Sequence, residues 1–219
     1  MKFIMSKIFE IINIKFFQYL YFYKNTLIYR KTIKKIPRHH SPEKLYENLI
    51  NKDNEIQLIE FGVFEGRSLK IFSNLNSNSN SKFFGFDSFN GLKEQYGYGI
   101  FGGKKRGAFK LDNKNSLNFD DNRIAIIDGY FNETLKKNLI LFSKDKETFI
   151  HFDADLYTST LYCLTMLHGH FNSYVAIFDE FPMDECSALQ DYASSYNVNI
   201  EFLACTQDGV RVACRIECK

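Results

Sequence analysis

The chain has no tryptophan, no Cys-x-x-Cys pair, no apolar run of membrane-spanning length and almost no net charge. Each absence excludes something. The five cysteines, Cys163, Cys186, Cys205, Cys214 and Cys218, are odd in number and unpaired in spacing. That argues against a disulfide framework or a structural zinc site, and for a reducing, cytoplasmic setting. A membrane-spanning helix needs roughly 20 predominantly apolar residues, and none is present. The first residues do not read as a signal peptide, because Glu10 and Lys15 interrupt the apolar stretch and no small-residue cleavage site follows. A formal charge of +2 says little about partners. No extended basic face interleaved with aromatics points to nucleic acid. The glycines follow neither GxGxxG nor the GxxxxGK phosphate loop, so a dinucleotide or a nucleoside triphosphate is not favoured.

What is present is a globular composition: 219 residues, 45% hydrophobic and 16% aromatic, enough for one large domain and a short appendage. The first forty residues carry nine Lys and Arg against the single Glu10, so the remainder is net acidic. We read 1–40 as a basic, aromatic-rich helical arm and 41–219 as the main domain. The arm reads as a helix packed on its own domain or across the interface of a homo-oligomer. Peripheral contact with an anionic membrane is the second reading, disfavoured because the apolar positions cover too much of the helix. Arg38–Ser41 reads as a connector, after which Ser41 caps a helix opened by Pro42 and running to about Asn51. Strands over 56–62, 82–89, 123–129, 147–153 and 174–181 then alternate with helices. Two alternating strands flank the turn Gln207-Asp208-Gly209 at the end. The order predicts an α/β fold of Rossmann-like type, a mostly parallel sheet with helices on both faces and one antiparallel strand at its edge.

In IEFGVFEGRS, Glu60 ends the first long strand, and Gly62 and Gly66 form the strand-to-helix turn, where a ligand can approach backbone N–H groups. About twenty residues on, Asp87 ends the next strand in GFDSF, at the distance and place suited to ribose hydroxyls, which points to an adenosine-type ligand. Asp128-Gly129 closes a third strand beside the same crevice. The glycine-rich loop over 97–109, with Lys104, Lys105 and Arg106, reads as a lid that closes over a substrate and could attract an anionic one.

Taken in order, IEFGVFEGRS, FGFDSFNGL, KRGAF, IDGYFNETL, HFDADLYTST and AIFDEF resemble the macrocin O-methyltransferase family over roughly residues 41–219. The resemblance implies a seven-stranded class I methyltransferase that uses S-adenosylmethionine to methylate sugar hydroxyls of natural products or glycans. It implies Glu60, Gly62, Gly66 and Ser68 around the methionine portion. Asp87 would hold the ribose, with Ser88 and Phe89 close to the nucleoside. Lys93 stands where the family often has proline.

The strand period of two in TFIHFDAD puts Phe149, His151 and Asp153 on one face. The next strand ends in Asp179-Glu180, so three carboxylates would converge at one mouth, where like charges repel unless a cation sits there. Oxygen ligands alone favour a hard divalent ion such as Mg²⁺. The resemblance implies the same ligands, Asp153, Asp179 and Glu180, with Glu180 departing from the usual Asp. Asp155 reads first as the N-cap of the following helix and second as a base. The base is left open between Asp155, His151 and a metal-bound hydroxide. The rival to an enzyme is a non-catalytic membrane-peripheral binding module that keeps the fold and localises through its arm.

Overall fold

The computed structural model describes residues 31–95, 104–113 and 117–219. Residues 1–30, which hold most of the expected arm, and 97–103 of the glycine-rich loop lie outside the described residues.

Among the described residues the chain builds one eight-stranded sheet. Its elements run β1 (Arg38–His39), α1 (Pro42–Leu49), β2 (Ile56–Phe61), α2 (Arg67–Leu75), β3 (Lys82–Asp87), β4 (Ile124–Asp128) and α3 (Phe131–Asn138). They continue with β5 (Glu147–Phe152), α4 (Tyr157–Leu167), β6 (Ser173–Phe178), α5 (Cys186–Ser195), β7 (Val198–Thr206) and β8 (Val212–Cys218). The strand order is β1-β7-β8-β6-β5-β2-β3-β4. The expected antiparallel strand is β8, lying between β6 and β7 instead of at the rim. The supposed connector supplies the eighth strand, since Arg38 and His39 pair in parallel with Cys205 and Thr206.

The central strands are apolar on both faces because both are covered. On one face Ile59, Phe61, Ile150, Phe152 and Phe178 pack with Leu164 and Leu167 of α4 and Leu189 of α5. On the other, Leu58, Phe149 and Ile177 pack with Leu45 and Tyr46 of α1 and Leu69 and Phe72 of α2. Local signals set the helix ends. Ser41 caps α1 by accepting from the Lys44 N–H at 3.3 Å, with proline in the first turn. The last turn of α2 is closed from outside: Arg123 donates to the Ser73 carbonyl at 2.7 Å and to the Asn76 carbonyl at 2.7 Å, taking up acceptors the helix leaves unpaired. Among the described residues no helix is long and apolar enough to cross a membrane.

Candidate active site

The carboxyl ends of β2, β3, β5 and β6 open on a cavity of about 500 Å³, the position where ligands bind in open α/β sheets. Its first wall is the turn after β2. Gly62 has φ +96°, and a Cβ there would lie 1.9 Å from the Asp153 carbonyl oxygen, so only glycine lets β2 and β5 stay paired to their ends. Asp87 organises the same turn. One carboxylate oxygen accepts from the Val63 and Phe64 N–H groups at 2.9 and 2.8 Å, and the other accepts from Phe89 N–H at 2.7 Å. Asp87 and Ser88 line the cavity with Gly62.

Across the cavity stand the residues that end β5 and β6. Asp153, Asp155, Asp179 and Glu180 all line it. Burial, then the Asp179 carboxylate, holds the Asp153 carboxyl well above its ordinary pKa. Burial, then Glu180, Asp179 and Asp184, raises Asp155 to about 7. The N-cap expectation for Asp155 is overturned. The cap of α4 is Leu156, with no side-chain cap bond, while Asp155 sits at φ +59° and turns into the cavity. Four described non-glycine residues have positive φ, and three of them, Phe64, Phe109 and Asp155, line this one cavity. Such conformations cost of order 1–3 kcal/mol each and cluster where function holds them.

His151 shares the face predicted for it, but it is fully buried and does not line the cavity. Its Nδ1 lies 2.8 Å from Glu60 Oε1, and its Nε2 lies 3.7 Å from Asp179 Oδ1. Burial opposes a charged imidazole, yet Tyr46, Asp179 and Glu60 together raise its pKa well above the usual value. It stands one side chain away from the cavity, behind Asp179. Glu60 is likewise buried, because alternation along β2 turns it with Leu58 toward Tyr46 and Phe72.

The other residues expected around the cofactor, Gly66, Ser68, Phe89, Asp128 and Gly129, are not among those that line the cavity. Gly66 packs against Phe119, where a Cβ would come within 2.5 Å of the ring, and Ser68 is half-buried on α2. Phe89 is buried at φ +56°. Asp128 ends β4, and Gly129 N–H donates to the Asp87 carbonyl at 2.9 Å. Sequence reasoning missed Phe64, Phe109, Tyr130, Phe131 and Asn132, which give the cavity its apolar and amide lining. Phe64 and Phe109 meet edge to face at 5.9 Å. The described part of the lid loop is pinned to Leu92 by two backbone hydrogen bonds, each of 2.9 Å, with Ala108 and Gly107. The N–H of Glu180 donates to the buried carboxyl of Glu185 at 3.1 Å, which fixes the end of β6 from below.

A divalent ion would need Asp153, Asp179 and Glu180 together. Asp179 is already engaged by Arg211, with Nε at 2.5 Å from Oδ1 and Nη2 at 3.0 Å from Oδ2. His151 and Arg211 outweigh burial and pull the Asp179 pKa below its ordinary value. Among the described residues no group of three His, Cys, Asp or Glu side chains is arranged to hold an ion. The donor set as it stands does not fit a metal. The open glycine turn, the carboxylate beside it and the aromatic lining do fit a nucleoside-type ligand.

A sequence profile of the macrocin-O-methyltransferase (TylF) family matches residues 37–212. No curated protein sequence matches the chain. Among solved structures, the O-methyltransferase NovP is 16% identical with a TM-score of 0.55, over 91% of this chain and 98% of NovP. CalS11, a calicheamicin methyltransferase, is 17% identical with a TM-score of 0.54, over 80% of this chain and 75% of CalS11. An O-methyltransferase from Bacillus cereus, solved in complex with SAH, is 13% identical with a TM-score of 0.52, over 89% of both chains. These likenesses concern the fold, and the profile concerns the family. On that match the chain belongs to the macrocin-O-methyltransferase family and is an S-adenosylmethionine-dependent O-methyltransferase.

Proposed function

We propose that the acceptor is a hydroxyl of a sugar or glycan-type small molecule and that Asp155 is the base. The observation that carries this is Asp155 itself, held at positive φ, free of any capping role and facing the cavity opposite the Asp87 turn. Family membership supports the acceptor class. S-adenosylmethionine, when bound, supplies an electrophilic methyl on a sulfonium.

The rest is the work of the chain's own residues. Gly62 gives close access to the backbone of the β2 turn, and Asp87 is the residue proposed to hold the ribose, with Ser88 beside it. Phe64, Phe109 and Tyr130 offer aromatic surface for a nucleoside to lie against. Asp155 would take the proton of the acceptor hydroxyl. The bound sulfonium would supply the methyl from its sulfur–methyl bond, with the neutral thioether as leaving group. Holding the hydroxyl in line with that bond supplies a large part of the rate. Magnesium was expected from the carboxylates and from the family resemblance. No step passes through it here, because Arg211 occupies Asp179.

The test is transfer of labelled methyl from S-adenosylmethionine to a panel of sugars and glycans by the full-length protein. Wild type transfers label to at least one member. Asp155→Asn lowers turnover by roughly 10²–10⁴-fold, the usual worth of a positioned base. Unchanged turnover in that variant would remove Asp155 from the role.

A further inference from the structure

We propose that Arg211 stands in for the divalent cation that the converging carboxylates at the ends of β5 and β6 would otherwise call for, so this chain assembles its site without a metal ion. The proposal rests on the functional reading above only for the location of the site.

The placement of Arg211 is dictated by the sheet. β8 runs antiparallel to β6 with Phe178 opposite Val212, so Asp179 and Arg211 are the next cross-strand pair. The ladder continues past them: Phe181 N–H donates to the Val210 carbonyl at 2.9 Å. The turn carrying Arg211 is tied from within. Its N–H donates to Thr206 Oγ1 at 3.0 Å, and Thr206 Oγ1 donates to the Asp208 carboxylate at 2.6 Å. Asp208 also accepts from Val210 N–H at 3.0 Å. On the outer side, Arg38 donates to the Gln207 carbonyl at 2.7 Å. Arg211 therefore approaches Asp179 from a braced backbone.

The contact itself is a two-point fork in which both Asp179 oxygens accept from the guanidinium. Side-chain exposure is 29% for Arg211 and 13% for Asp179, so the pair is largely out of water. Forked, partly buried arginine–carboxylate pairs are the strong ones, and a planar guanidinium holds this geometry with less ordering cost than a lysine would. On the far side of Asp179, His151 Nε2 lies 3.7 Å from Oδ1, with Glu60 behind the ring. An entering ion would have to share each Asp179 oxygen with the guanidinium and bring a second cation against it. What a metal would supply at this mouth, fixed positive charge against Asp179, is already there.

The test uses Mn²⁺ as probe, followed by electron paramagnetic resonance on full-length protein stripped with chelator. S-adenosylmethionine binding is measured in parallel by calorimetry. The expected result is no Mn²⁺ bound by wild type. Arg211→Gln binds one Mn²⁺, with an affinity at least ~10-fold above the weakest the titration detects, the change that follows release of a paired carboxylate. That site is lost again in Asp179→Asn/Arg211→Gln. One tightly bound Mn²⁺ in wild type, or no gain in Arg211→Gln, overturns the proposal. If Arg211→Gln fails to melt cooperatively, Arg211→Met decides in its place, because methionine removes the charge and keeps the side-chain bulk: a gain supports and no gain overturns. A wild type that binds no S-adenosylmethionine would defeat the functional reading and leave the Mn²⁺ result to judge Arg211 separately.

Discussion

Asp155 shows how much one backbone angle decides. From sequence it reads as a helix cap, because Asp before an apolar helix is the commonest cap pattern. The φ of +59° moves the cap to Leu156 and turns the carboxylate into the cavity. No periodicity announces a left-handed residue outside glycine, so this could not be read from the string HFDADLYTST. The faces of Asp153 and His151 could, because strand alternation fixes them. Burial is what separated their roles, with His151 enclosed between Glu60 and Asp179 and Asp153 at the surface of the cavity. At this scale Gly62→Ala is expected to lower stability by at least ~2 kcal/mol, since the new methyl meets the Asp153 backbone and the residue keeps a positive φ. A urea midpoint equal to that of wild type would show that the β2 turn yields without loss.

Among the elements, α2 and the strand beside it give the most accessible stability test. Arg123 donates from Nε and Nη2 to the Asp121 carboxylate at 3.0 and 2.7 Å while it closes the carbonyl end of α2. Its removal leaves several acceptors unpaired, and Arg123→Ala is expected to cost about 2–3 kcal/mol in urea unfolding. The hydrogen bond from Arg123 holds the Asp121 carboxyl below its ordinary pKa despite partial burial. A group depressed in the folded state contributes stability that is complete above its unfolded value of about 4. That contribution is lost as pH falls through the lower folded value. Asp121→Asn should therefore flatten the acid limb of the stability curve below about pH 4 while lowering stability at neutral pH. An acid limb identical to that of wild type would contradict the assignment. The sequence marked the elements themselves well. It did not mark the pairing of Asp179 with Arg211, because β8 follows a turn and register across a turn depends on backbone geometry that residue types leave open.

For the molecule as a whole, alternation of apolar strands and helices was enough to predict a parallel sheet, and the order of short motifs pointed to the family. Two features escaped. Arg38 and His39 add a strand too short for any alternation to reveal, and the antiparallel strand lies inside the sheet because β7 swings outward past it. The cavity followed from topology, since the ends of β2, β3, β5 and β6 meet on one side. Its aromatic lining did not, because Phe64 and Phe109 come from turns whose paths only the fold determines. Everything proposed for the site depends on this cavity taking S-adenosylmethionine against the Asp87 turn. Calorimetric titration of the full-length protein with S-adenosylmethionine tests it directly. One saturable site in wild type, weakened at least ~10-fold in Asp87→Ala, is the predicted result. No binding by wild type, or equal binding by the variant, would contradict it.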